Sequence, residues 1–161
     1  MEEFQILRED AQKKIKVADH MLTMSYKLVE DPKILLSVVS NTYYAVEAAM
    51  SSVLSYERIF KRVPVYSNEF DSKFNLFRSK VAPKKMVKKE HLKLIQTLRE
   101  LYVAHKKSPM EFRRHEKFVI ANDSYELRTL DYESVKAHVN SAKVFIKEMY
   151  KLTIQDDRIF R

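Results

Sequence analysis

The chain has 161 residues, 45% of them hydrophobic and 32% charged, with a formal net charge of +8 and neither cysteine nor glycine. That length suits one domain with a sizeable core of its own, and the missing cysteines exclude a disulfide framework, a thiol nucleophile and cysteine-ligated zinc. Without glycine there is no phosphate loop of the Walker or Rossmann kind, because those loops need backbone conformations that glycine supplies.

Hydrophobic periodicity predicts one long helix over 3–30, with Phe4, Leu7, Ala11, Ile15, Ala18, Leu22, Ser25 and Val29 on its inner face. Its opening, MEEFQILRED, is acidic and amphipathic, unlike a secretory leader. No apolar run approaches the roughly 18 residues that cross a bilayer, so a cytoplasmic protein with no membrane partner is expected.

Asp31 and Pro32 suit the N-cap and first position of a second helix over 32–57. Leu35, Val38, Thr42, Val46, Ala49 and Val53 form its stripe, and Ala45, Ala48, Ala49 and Ser51 permit close approach of neighbours. A connector containing Pro64 leads to a shorter helix over 68–81, capped by Ser67, carrying Phe70, Phe74 and Phe77 and broken by Ala82-Pro83. A fourth helix over 85–107 buries Leu94, Ile95, Leu98, Leu101 and Tyr102 and stops before Pro109.

The period then changes. Phe118, Val119 and Ile120, the polar Asn122-Asp123-Ser124, and Tyr125, Leu127 and Thr129 predict a β-hairpin. Asp131 caps a last helix over 132–155 with Val135, His138, Val139, Ala142, Phe145, Ile146, Met149 and Leu152 inward. The expected fold is mainly all-α: a single domain over 1–161, an up-and-down four/five-helix bundle with a small β-hairpin before the last helix.

Charge is unevenly placed. Between Arg78 and Lys117 there are thirteen basic residues against four acids, while the rest of the chain is nearly balanced. Such a concentration fits either a polyanion footprint or a solvated lysine-rich face. Lys88, Lys89, Lys106, Lys107, Ser108, Arg113 and Arg114 are the candidate RNA contacts within it. No carboxylate stands three residues before any histidine, and no two histidines are four apart. A helical metal site is therefore not expected, no cofactor is called for, and His138 reads as a core-edge histidine.

Arg99 and His105 are the candidate catalytic pair. Imidazole can take and return the proton of a 2'-hydroxyl, and guanidinium binds the non-bridging phosphate oxygens as charge builds. Six residues apart, they point about 120° from each other on an unbroken helix. They converge only if the helix loosens before Pro109 or if a second subunit contributes one of them.

The second helix, with Tyr43-Tyr44-Ala45 and then Ala48-Ala49 before Ser52-Val53-Leu54, resembles the second-helix signature of the HEPN family, the higher eukaryotes and prokaryotes nucleotide-binding domain. Arg99, five intervening residues and His105 are similar to that family's Arg-to-His motif, with Glu100 where the family often has Asn, Asp or His. The stretch SVKAHVNSAKVF looks like its closing helix. The resemblance spans most of residues 5–155. It implies a helical bundle and a metal-independent endoribonuclease or RNA-binding protein that leaves 2',3'-cyclic phosphate ends, in a toxin or defence setting. It also implies that Arg99 and His105 meet at a homodimer interface. Tyr43, Tyr44 and Glu47 are candidates for shaping the site, though aromatics on such a helix also serve as core. The alternatives are a non-catalytic HEPN module that partners a small nucleotidyltransferase, and a structural helical-bundle dimer.

Overall fold

The longest helix is the one whose apolar residues face every direction, and the other elements gather on it. The computed structural model describes residues 1–107, 110–114, 117–121 and 127–155, with the backbone alone for 107, 110–114, 117–121 and 127–129. The chain is a mainly helical bundle. In order it forms α1 (Glu3–His20), a π turn (Met21–Ser25), α2 (Tyr26–Val29), α3 (Lys33–Ile59) and α4 (Phe70–Leu76). Next come a second π turn (Phe77–Val81), α5 (Ala82–Lys85), α6 (Lys89–Lys107), strands β1 (Met110–Arg114), β2 (Lys117–Ala121) and β3 (Leu127–Leu130), and α7 (Tyr132–Thr153).

α3 packs against α1, α4, α6 and α7. A helix that is apolar on all sides is stable only when neighbours cover it on all sides. Its Ala45, Ala48, Ala49 and Ser52 are buried and let the backbones of those neighbours come close. Asp131 caps α7 as expected, accepting the Ser134 amide at 2.8 Å, whereas α3 starts one residue later than expected, with Pro32 at the N-cap and Asp31 ahead of it accepting the Lys33 amide at 3.0 Å. The connector between α3 and α4 is held by a buried acid: Glu57 pairs with Arg62 and, at 3.4 Å, with Lys85.

Two helical expectations change at the π turns. The long first helix runs on past His20, but five residues there widen to π geometry, and the Tyr26 amide donates to the Met21 carbonyl. The Thr23 hydroxyl donates to the Asp19 carbonyl at 2.8 Å, a bond that competes with the backbone ladder at that point. A wider turn rotates the residues beyond it, so Leu22 is the last inward residue of the predicted stripe and Val29 is 65% exposed. The second correction is at Ala82-Pro83, which does not break the helix. The π turn ahead of it absorbs the missing proline donor, and Pro83 lies in the first turn of α5, where no intrahelical donor is needed. The chain turns away at Met86, which among the described residues shares the left-handed region with Glu30 and Lys61. Where a helix of this glycine-free sequence ends in a left-handed residue, a non-glycine residue takes that conformation.

The expected two-stranded hairpin is also corrected. The described backbone forms a three-stranded antiparallel sheet in the order β1-β2-β3, with Phe112 opposite Val119 and Val119 opposite Thr129. Two strands alone would be marginal, and the charged stretch after Pro109 supplies the third. β2 lies against α3 and α6. Among the described residues no helix is long and apolar enough to cross a membrane.

Candidate functional site

Buried Leu94, Ile95, Leu98 and Leu101 fix the rotation of α6 on the core. That rotation leaves Arg99 and Tyr102, three residues apart, on the flank of α6 that meets Tyr43 and Tyr44 of α3. The Arg99 guanidinium donates to the Tyr43 hydroxyl at 2.9 Å. Its carbon lies 4.8 Å from the centre of the Phe70 ring, 5.6 Å from that of Tyr43 and 5.9 Å from that of Tyr102. The Tyr43 and Tyr102 rings are stacked at 4.5 Å, and the Tyr44 and Tyr102 hydroxyls share a hydrogen bond of 2.7 Å.

Arg99 therefore rests on an aromatic floor, an arrangement that favours a cation. The bond to Tyr102 and then burial push the Tyr44 phenol up to about 12. Burial raises that of Tyr43 despite the opposing pull of Arg99. Both hydroxyls stay neutral near pH 7. No carboxylate pairs with Arg99 among the described residues. Of its five N–H donors one is used by Tyr43, and the others suit an oxyanion. Glu47, one turn along α3 from Tyr43, is engaged elsewhere: Lys73 of α4 pairs with it and donates to Ser51 at 3.0 Å. This part-buried pair ties α3 to α4, the helix that carries Phe70.

α6 is regular from Lys89 to Lys107, so it does not loosen between Arg99 and His105. Two side chains six residues apart on such a helix differ by about 120° in direction and about 9 Å along the axis. One chain thus does not bring them together, and His105 is partly buried on a different flank. The basic run is divided as well. Lys106 is exposed, with its ammonium 5.5 Å from the centre of the Tyr102 ring. Lys88 and Lys89 are at the other end of α6, about 25 Å away along the helix. Lys88 lies 3.9 Å from carboxylates of both Glu90 and Glu148. Lys107 closes α6 and Arg113 and Arg114 end β1, with backbone alone described, and Ser108 lies outside the described residues. Among the described residues no three histidines or acids are placed to hold a metal ion.

No family model matches this chain, and no curated protein is significantly similar to it.

A second polar locus lies between α6 and α7, around a cavity of about 390 Å³ lined by His91, Leu94, Thr97, His138, Ser141 and Val144. Buried His91 shares a 2.7 Å hydrogen bond with Glu148. Burial pushes His138 below the ordinary imidazole value of 6.5. The folded chain therefore holds that proton less readily than the unfolded one. His138 should reduce stability as pH falls below about 6.5, until the lowered folded value is passed. Between about pH 7.5 and about pH 5, His138→Asn should lose less melting temperature than the parent. Equal losses would remove His138 as a source of acid sensitivity.

Phe70 and Lys73 were not identifiable as site residues from sequence. Phe70 matched a core stripe, and nothing along the chain links Lys73 to Glu47 on another helix. The one signal in the sequence was Tyr102, whose hydroxyl-bearing ring falls one turn after Arg99 on the buried side.

Proposed function

We propose that this chain is a HEPN-like, metal-independent endoribonuclease of the cytoplasm, acting as a toxin or defence component. The bundle is read as the up-and-down four/five-helix arrangement of that family. The observation that carries the reading is the Arg99 guanidinium, partly exposed, set on the rings of Tyr43, Phe70 and Tyr102 and without an acidic partner among the described residues. A cation kept charged and directed in this way is suited to a phosphate whose charge grows during reaction.

In this reading two copies place Arg99 of one beside His105 of the other. The imidazole takes the 2'-hydroxyl proton as the 2'-oxygen bonds to phosphorus. The bond from phosphorus to the 5'-oxygen breaks, and the imidazolium returns the proton to that leaving oxygen. The products are a 2',3'-cyclic phosphate and a 5'-hydroxyl.

Light scattering at micromolar concentration should give twice the 19.2 kDa chain mass. Binding to an RNA pool in EDTA should weaken steeply with salt, with each phosphate contact contributing about 0.7 to the logarithmic slope for a single strand. Reversing Lys106 and Lys107 to Glu should weaken binding to all sequences alike and flatten that slope. A stable monomer removes the two-copy site, and salt-independent binding removes the polyanion surface. If the chain neither cleaves nor binds RNA, the reading passes to the module that partners a nucleotidyltransferase.

A further inference from the structure

We infer that Tyr43 is a positioning residue for Arg99: its hydroxyl, together with the Phe70 ring, holds the guanidinium in the orientation in which it meets a phosphate. This rests on the endoribonuclease reading for its consequence, but the geometry stands without it.

Tyr43 is 4% exposed and comes from the central helix, while Arg99 comes from α6 and Phe70 opens α4. Three different elements therefore converge on one side chain. The Tyr43 ring cannot swing, because it is stacked on Tyr102 at 4.5 Å and packs against Phe70 at 6.0 Å. A fixed ring fixes its hydroxyl. That hydroxyl takes one guanidinium donor at 2.9 Å, and the guanidinium carbon lies 4.8 Å from the centre of the Phe70 ring. An arginine has several rotatable bonds, and an unrestrained one loses that freedom when it binds. One hydrogen bond from Tyr43 and one ring contact from Phe70 restrict that freedom before any ligand arrives. Lys73, buried and bound to Glu47, Ser51 and Asn68, keeps α4 and hence Phe70 in place. Tyr43 itself does not touch the reacting atoms in this arrangement.

The hydroxyl can be removed while the ring stays. Tyr43→Phe keeps the stacking and deletes the bond, and Phe70→Leu removes the floor at a partly exposed position should the first variant fold poorly. Two readouts separate positioning from general structure. The first is nitrogen NMR of the Arg99 side chain in the full protein without RNA. Slow guanidinium rotation and high order are expected in the parent, and faster rotation in Tyr43→Phe. Tyr44→Phe, which deletes the neighbouring bond to Tyr102, should leave the Arg99 order unchanged. The second is affinity for a 2'-O-methylated RNA oligonucleotide, which cannot be cleaved. Tyr43→Phe should weaken it roughly tenfold, the scale of one lost hydrogen bond to a charged group, and should have no further effect in an Arg99→Ala background.

Parent protein that binds RNA, with Arg99 order and affinity unchanged in Tyr43→Phe, overturns the positioning role and leaves the functional reading intact. Parent protein that binds no RNA, yet loses Arg99 order in Tyr43→Phe, overturns the functional reading and supports the positioning role. An effect of equal size in the Arg99→Ala background overturns the assignment of Tyr43 to Arg99.

Discussion

His105→Ala should slow RNA cleavage roughly 10²- to 10⁴-fold, the usual scale for one positioned acid or base, and Arg99→Ala should cost a comparable factor through lost stabilisation of phosphate charge. Cleavage by the parent should persist in EDTA, leave a 2',3'-cyclic phosphate and fail on 2'-O-methylated RNA. The regular α6 adds a sharper test. Because one chain holds the two side chains about 120° apart, each proposed site takes its Arg and its His from different copies. A mixed dimer of Arg99→Ala and His105→Ala then has one site lacking both groups and one site complete. Co-refolding the two inactive variants in equal amounts should restore about one quarter of the parent activity, since about half the dimers are mixed and each has one working site of two. No recovery means that the pair does not act across copies. If His105→Ala cleaves as well as the parent, the nuclease reading fails.

The helical framework was legible because each long stripe has only one way to be buried. The spacing of Leu94, Ile95, Leu98 and Leu101 sets the face of α6, and Val135, Val139, Ala142, Phe145 and Met149 set that of α7. The π turns were not legible. The first adds one residue to a turn inside a continuous amphipathic stripe, where the Thr23 hydroxyl bonds the Asp19 carbonyl, and no hydrophobic pattern encodes it; beyond it Val29 is exposed. The second depends on how α4 meets the core and carries the helix through Pro83. The third strand was hidden because Glu111, Arg113 and Arg114 give 110–114 the composition of a charged loop. In the candidate site, spacing along the chain singled out Arg99 as a candidate but not what lies beside it. Phe70 is 29 residues away in sequence and reaches Arg99 only through the packing of α4 on α3. Glu47 shows the same limit in reverse: its position beside Tyr43 was visible, but its pairing with Lys73 across helices was not.

The largest expected loss of stability is at the joint between α6 and α7, from Phe145→Ala. Phe145 is fully buried, with its ring 6.3 Å from Phe77 in an edge-on contact and 5.4 Å from the His91 imidazole. Truncating a buried phenylalanine removes its transfer free energy and leaves a cavity that helices can only partly close, at about 3–5 kcal/mol. A domain of this size has a total stability of order 5–15 kcal/mol, so the change is a large fraction of it. At fixed protein concentration the melting temperature should fall by roughly 10 °C. The loss has a second component, because Phe145 packs against the His91 ring, which bonds Glu148 at 2.7 Å. Val144→Ala, one residue earlier but 50% exposed, should change stability by less than about 0.5 kcal/mol. A Phe145→Ala protein that melts within about 2 °C of the parent would mean that α7 does not depend on this contact for its place on the core.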